Sequence, residues 1–556
     1  MRKFAVIHRD TFLLLIIILL QLIVITYFGI HKNWLFGDEQ WTFNLANRYY
    51  EPFLGDASKY YNRWLSPDFW NSALTVQQEY AFNYKSVFYN QAQDVHPPLY
   101  YVIIHTISSF FPGTYSKWFA IIPNMMFFCI GQIVMFRIGM MLFKKSEAAL
   151  MTCLFYGFSW GIINNTVYVR MYELLSLWGM LSYYLHLRML RGFNFKTLLL
   201  TLFTSLCGIL TQYYFLIFQF FVSLGYAIDL LAKKQYKQFT IYCMGYLCVL
   251  LSAVAIFPAS VSQITGKAGN QGQAAFHNLV ASSFDDHVSI FCHVISKDIF
   301  GGHVRWTLEI LVVAFLVSFA LKFCYIKLHV DRNHGLILQG DIQFYRNRLE
   351  FHININDFVI SLIYSMFISI SYFGVIAKIA PYLESRYMVI IYPLLVVIFV
   401  ATIYSLRFIN HWKWKSVCIV LTLISILFAA NTYRTKNLFT FDPKYTSMMN
   451  IIQKDYHSDI AFIIVNGRKN FWPVMHEALT MRTTSSSLLL DENDLDQLGD
   501  FLRNYSQKHD AFLIYKGYPC KMDKETFEKR VSAITGYGKY KIVDSYMGDI
   551  YLFQKL

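Results

Sequence analysis

Long apolar runs separated by short charged loops fill the first 430 residues of the chain. The first run, TFLLLIIILLQLIVITYFGI from Thr11, has the ~20 residues that a helix needs to cross a hydrocarbon core. It follows the basic head MRKFAVIHR and lacks a small-residue cleavage site, so it reads as a retained signal anchor with a cytoplasmic N-terminus. Further spans are predicted over 118–143, 148–167, 172–190, 197–211, 213–232, 238–258, 306–328, 357–379, 387–406 and 416–431, about eleven in all.

One apolar stretch is too short to span. PPLYYVIIHTISSFF, 97–111, makes a helix of ~22 Å against a core of ~30 Å, and reading it as a span inverts the charge pattern of the later loops. Pro97 and Pro98 suit a helix start, and the aromatics suit the headgroup level, which predicts an interfacial helix. After about residue 432 the pattern changes. Strand-like runs IAFIIVNG, AFLIYKG and YKIVDSYMGDIYLF alternate with the helical patterns NDLDQLGDFLRNYSQ and KETFEKRVSAI. The fold class is therefore a polytopic α-helical membrane protein, residues 1–431, followed by a small soluble α/β domain, 432–556, whose last run suggests a hairpin. Residues 31–117 form the first large loop. The tail carries no GxGxxG, P-loop or nucleophile elbow.

Composition agrees with a membrane chain: 56% of residues are hydrophobic and 15% charged, where a soluble protein carries about a quarter charged. The net charge of +14 would suit nucleic acid, but the basic residues concentrate in alternate short loops. Lys144 and Lys145, Arg188, Arg191 and Lys196, Lys233, Lys234 and Lys237, Lys327, Arg332, Arg346 and Arg348, then Arg407, Lys413 and Lys415 mark cytoplasmic loops, which accounts for the charge without a nucleic-acid partner. Segments 31–117, 166–172, 259–305 and 380–386, and the tail, then face the other side. Most cysteines sit in apolar runs as packing residues; only Cys292 and Cys520 fall where a disulfide is conceivable.

Four polar groups share that outer side: Asp38 with Glu39, Asp94 with His96, Arg170 with Tyr172 and Glu173, and Glu384 with Arg386 and Tyr387. Carboxylates and arginines at a membrane face fit attack by an acceptor hydroxyl or amine on a sugar carried by a lipid phosphate. The Asp takes the acceptor proton, and the Arg holds the leaving phosphate through its planar, permanently charged fork. Singly, each group has a plain structural reading: a solvated acidic pair, a histidine that positions a helix start, snorkelling arginines. Their common side favours one site, with Trp34 and Trp41 holding Asp38 at interface depth. A transporter or flippase of lipid-linked sugars is the alternative, but it should show internal repeats or charged midplane helices, and neither is evident. A scaffold subunit would need no acidic pair. The 259–305 loop, Gly-rich at its start, suggests a mobile cover, and 329–355 a solvated connector.

The order G-D-E after the first span, D-V-H-P-P-L-Y-Y before the second, V-R-M-Y-E-L after the third and S-R-Y-M-V-I-I-Y-P-L-L late in the chain resembles the protein O-mannosyltransferase superfamily of GT-C glycosyltransferases, which includes the bacterial aminoarabinose transferase. The resemblance covers roughly residues 10–430. It implies a GT-C fold, a polyprenyl-phosphate sugar donor and inverting transfer at the outer face of a membrane, a bacterial plasma membrane being the expected one, with the tail extracytoplasmic. It implies Asp38 as catalytic carboxylate, Glu39 helping to hold the acceptor and Arg386 contacting the donor phosphate; Asp94, His96, Arg170, Tyr172 and Tyr387 are expected on the donor side from their shared outer face. The acceptor is a glycan, lipid or protein of the cell envelope. Relatives often carry an acidic residue at Tyr168 and a histidine at Gln212, so this chain departs where metal ligands would be sought, and a divalent cation has no clear ligand set.

Overall fold

The computed structural model describes residues 2–301 apart from 33–34, 54–56, 267–269 and 282–283; 327–406 apart from 332–334, 340–341, 344–349 and 352–356; single residues and a short helical piece between 419 and 434; and 460–555 apart from 468–477, 506–509, 518–519 and 545–547. The chain divides into two compact units. One comprises Met1–Thr26, Pro123–Val167 and Met171–Thr435, and the other Tyr27–Ile122, Tyr168–Arg170 and Lys436–Leu556. The boundary thus differs from the one expected near residue 432, because the first large loop joins the tail.

In chain order the helices are α1 (Arg2–His31), α2 (Gly37–Asn47), α3 (Pro67–Leu74), α4 (Tyr84–Gln93), α5 (Leu99–Ser109), α6 (Trp118–Phe143), α7 (Ser146–Gly157), α8 (Trp160–Val167), α9 (Tyr172–Leu190), α10 (Phe195–Ile209), α11 (Tyr214–Ala232), α12 (Tyr236–Ile256), α13 (Ala259–Ile264), α14 (Asn270–Ala281), α15 (Phe284–Phe300), α16 (Asp357–Ile379) and α17 (Tyr392–Leu406). Among the described residues, five helices are long and apolar enough to cross a membrane: Arg9–His31, α6, α11, α12 and Phe358–Ile379. The predicted span 306–328 lies outside the described residues, and 416–431 is described only in part.

Other predicted spans differ in detail. The 148–167 run is two helices: the ladder of α7 ends at Gly157, and the Ser159 N–H turns to the Tyr156 carbonyl at 3.1 Å before α8 begins. Gly157, the last residue of α7, lies so close to the Gln21 and Gln132 amides that a Cβ would come within 2.4 Å of them, so any larger residue there would displace both amides. The 387–406 run opens with two 3₁₀ turns, Ser385–Tyr387 and Val389–Ile391, before α17 begins. The 259–305 loop is helical. Its α15 buries Phe291, Ile295 and Ile299 at helical spacing, and Asn278 Nδ2 and His287 Nδ1 donate to the Ala380 and Ala377 carbonyls at 2.9 Å each. The connector after residue 326 carries two short antiparallel ladders, β2 (Lys327–Asp331) with β3 (Gly335–Gln339) and β4 (Ile342–Gln343) with β5 (Glu350–Phe351).

The second unit is built on a six-stranded sheet of order β1-β7-β6-β8-β10-β9. Its strands are β1 (Trp64–Leu65), β6 (Ile460–Val465), β7 (Ser486–Asp491), β8 (Ala511–Gly517), β9 (Lys539–Asp544) and β10 (Gly548–Gln554). β6 pairs in parallel with β7 and β8, and every residue of β6 and β7 is buried, as expected of parallel strands covered on both faces. β9 and β10 pair antiparallel, as the last apolar run suggested. β1 comes from the first large loop. It closes the β7 edge in the register Trp64 to Leu488 and Leu65 to Ser487, and Trp70 Nε1 in α3 donates to Ser487 Oγ at 2.7 Å. Ser66 caps α3 and Pro67 occupies its first turn, where no backbone donor is needed.

The segment expected at the interface is α5. Its Tyr100, Tyr101, Ile104, His105 and Ser108 are buried, and it packs on α2, with His105 Nδ1 donating to the Ala46 carbonyl at 2.8 Å and Asn47 Nδ2 to Ser108 Oγ at 3.2 Å. Cys292 and Cys520 are both free thiols.

Candidate active site

The acidic pair sits on the first turn of α2, where exposed backbone N–H groups favour negative charge. Its two members have opposite surroundings. Glu39 is fully buried: Lys32 Nζ lies 2.8 Å from Oε1 and 3.0 Å from Oε2, the Phe36 N–H donates to Oε2 at 2.8 Å, and the Val169 N–H donates to Oε1 at 2.7 Å. Only donors face this carboxylate, so it fits the ionised form, and a neutral acid would have to turn its own proton against one of them. Burial pushes Glu39 up, and Lys32 with the two backbone donors pulls it back; burial likewise pushes Lys32 down against the pull of Glu39. The acceptor-holding role expected for Glu39 is corrected on this evidence, because its oxygens are occupied and closed to solvent. Asp38, one residue earlier, is partly exposed.

Arg170 reaches the same turn from the Tyr168–Arg170 connection. Its Nη1 donates to the Asp38 carbonyl at 3.0 Å, to Thr42 Oγ1 at 3.2 Å and to the Tyr101 hydroxyl at 3.2 Å, and its Nη2 meets His96 Nε2 at 3.3 Å. A guanidinium has no acceptor, so His96 Nε2 faces it with a lone pair and the ring hydrogen lies on Nδ1. Asp94 Oδ2 accepts that hydrogen at 2.8 Å. Burial alone would raise the Asp94 carboxyl; the His96 imidazole and the Arg170 guanidinium outweigh it and hold the group below its ordinary value. Asp94, His96 and Arg170 thus form a relay that ends on the backbone of Asp38. Trp41 Nε1 donates to the Phe53 carbonyl at 3.2 Å, and Trp34 lies outside the described residues.

The remaining expected residues belong to the first unit. Tyr172 is buried at the start of α9. Arg386 lies on the Ser385–Tyr387 turn with Nε 2.9 Å from Glu384 Oε2 and its guanidinium over the rings of Tyr382 and Tyr387, at 5.6 and 5.5 Å. The Tyr387 carbonyl accepts from the Tyr372 hydroxyl at 2.8 Å, and its ring meets Tyr214 edge-on at 4.9 Å. Buried Asp298 accepts from the Tyr392 hydroxyl and from the side chain of Ser385, the first residue of the turn; burial pushes Asp298 up to about 6.

Sequence reasoning missed Lys32, Tyr101 and Asp298. Lys32 had one visible signal, a lone cation at the end of a span where the charge pattern places no other. Asp298 had none. Among the described residues, no group of three or more His, Cys, Asp or Glu side chains is arranged to hold a metal ion.

No protein-family model matches the chain, and no curated protein does. Among solved structures, the crystal structure of ArnT from Cupriavidus metallidurans bound to undecaprenyl phosphate aligns with 97% of this chain and 97% of its own, at 9% identity and a TM-score of 0.49.

Proposed function

We propose that the chain is a membrane glycosyltransferase of the GT-C class that moves a sugar from a polyprenyl-phosphate donor to a glycan, lipid or protein of the cell envelope. The reading rests on the motif order of the sequence, and the observation that carries it is the held backbone of Asp38. Its backbone carbonyl is held by Arg170, its neighbour Glu39 is locked to Lys32, and its own side chain keeps access to solvent. Such a frame sets where the backbone of Asp38 lies on the first turn of α2 and leaves the residue partly exposed.

In the reaction, the acceptor hydroxyl or amine attacks the anomeric carbon from the face opposite the phosphate. Asp38 takes the acceptor proton as the new bond forms, the bond between the anomeric carbon and the phosphate oxygen breaks, and the configuration inverts. The polyprenyl phosphate leaves as an anion, and Arg386, steadied by the tyrosine rings beside it, is the donor-phosphate partner. Glu39, Asp94, His96 and Arg170 act as positioning residues for Asp38. The chain lies in a bacterial plasma membrane with its N-terminus in the cytoplasm and its tail outside.

Purified protein in nanodiscs, offered a panel of polyprenyl-phosphate monosaccharides carrying labelled sugar, tests this. Wild type should release or transfer one sugar, and Asp38→Asn should bind the same donor with the same thermal midpoint and no turnover. Turnover retained by Asp38→Asn removes the proposed base. Donor carried intact across a sealed bilayer, with no sugar released, replaces transfer by transport.

A further inference from the structure

The C-terminal tail holds an arginine against the frame of α2. Leu479 N–H donates to Gln40 Oε1 at 3.0 Å, so the tail docks two residues beyond Asp38. Three residues later, Arg482 lays its guanidinium over the Tyr115 ring at 4.7 Å, and its Nε donates to Asn71 Oδ1 at 3.0 Å. Both supports are themselves fixed. Asn71 Nδ2 donates to the Gly113 carbonyl at 3.1 Å, and Tyr115 packs edge-on against Phe43 of α2 at 5.1 Å. Gln40 and Phe43 follow Asp38 by two and five residues, which on a helix of 3.6 residues per turn sets both on the side of α2 turned away from it.

Arg482 is half-buried, and burial lowers it from the ordinary arginine value. Among the described residues no carboxylate pairs with it, and only its Nε is hydrogen-bonded; the two Nη groups are uncommitted. A desolvated cation without a counter-ion is costly, and a guanidinium gripped by Nε and by one face offers the Nη edge as a ready fork for two oxygens. That edge suits a phosphate, which accepts paired N–H bonds and supplies the missing charge.

We propose that Arg482 binds a phosphate group of a lipid substrate, on the side of α2 that carries Gln40 and Phe43. The identification as substrate rests on the transferase reading; the anion site itself does not. The same chemistry can come from the polyprenyl phosphate or from a phosphate on the acceptor.

Binding of a polyprenyl phosphate and of phosphatidic acid to the full-length protein in neutral-lipid nanodiscs tests the proposal, for wild type, Arg482→Gln and Arg482→Lys. Wild type should bind at least one probe, with affinity that falls as salt rises. Arg482→Gln should bind about tenfold more weakly with a flatter salt dependence, and Arg482→Lys should fall between, since it keeps the charge and loses the fork. The unchanged thermal midpoint of Arg482→Lys guards against a folding effect. A loss for polyprenyl phosphate alone assigns the donor; a loss for phosphatidic acid alone assigns a phosphate on the acceptor, and a loss for both assigns a phosphate monoester whatever its lipid. Equal binding of both probes by wild type and by folded Arg482→Gln overturns the proposal, as does no binding by wild type. Loss of phosphate binding in Arg482→Gln together with full turnover in Asp38→Asn would sink the catalytic reading and leave the anion site standing.

Discussion

Lys32 Nζ lies 2.8 Å from one carboxylate oxygen of Glu39 and 3.0 Å from the other, with both side chains wholly excluded from solvent. This pair joins the end of α1 to the first turn of α2. Through Val169 it also holds the connection that carries Arg170. Lys117 Nζ adds a further tie, donating to the Ile30 carbonyl at 2.9 Å and to the carbonyl of Lys32 itself.

Breaking the pair from one side should be worse than removing it whole. Lys32→Met or Glu39→Leu leaves a buried charge without its partner, at a cost of about 3–5 kcal/mol, whereas the double variant removes both charges and recovers most of that loss. Denaturation of the four proteins of the cycle in the same lipid measures the coupling. Additive losses would show that the contact does not bind the two helices together.

Arg170→Lys should lower turnover by about tenfold or more while leaving donor affinity near wild type. A single ammonium cannot serve the Asp38 carbonyl, the Tyr101 hydroxyl and His96 together, and each charge-assisted bond lost is worth about 1.5–3 kcal/mol. Steady-state kinetics at saturating donor separate the two effects. A rise in KM with kcat unchanged would move Arg170 from positioning Asp38 to holding substrate.

Asp298 should make the wild type lose stability as pH rises. Its carboxyl is pushed up to about 6 in the folded chain from 3.8, so the native state holds a proton that the unfolded chain gives up. Stability is therefore greatest below about pH 4 for this group and declines as pH rises towards and through 6. Asp298→Asn keeps the acceptor for Tyr392 and has no such dependence. The midpoint difference between variant and wild type should move in the variant's favour between pH 4 and pH 7, and a flat difference would mean that Asp298 is not protonated in that range.

Trp70 should hold the first loop to the tail sheet. Trp70→Phe removes the bond to Ser487 together with part of the indole volume and should cost about 1–3 kcal/mol, and Trp70→Ala, which opens a larger cavity at a fully buried position, about 3–5 kcal/mol. Hydrogen exchange at β1 and β7 reads the effect locally. Protection unchanged in Trp70→Ala would place the attachment elsewhere.

Much of this protein is legible from local pattern. Apolar runs of span length, the strand and helix periods of the tail and the final hairpin all follow from side chains that must be buried at fixed spacing. The charged residues of Asp38, Asp94, His96 and Arg170 also stand out, because charge beside a membrane span needs a partner or a task. The break in the 148–167 run was not legible, since neither a proline nor a charge marks Phe158 and Ser159 in an otherwise apolar run.

What only tertiary structure decided is which of two adjacent acids is sealed from solvent. Asp38 and Glu39 look alike in the chain, but Glu39 meets an N–H of Val169, 130 residues away, and Asp38 keeps its exposure. The two-residue strand β1 has no period of its own, and it is a strand only because β7, more than 400 residues later, presents an open edge. Local pattern reports which groups must leave water. Which partner each one finds there depends on chain segments brought together by folding, and no spacing within the sequence carries that distance.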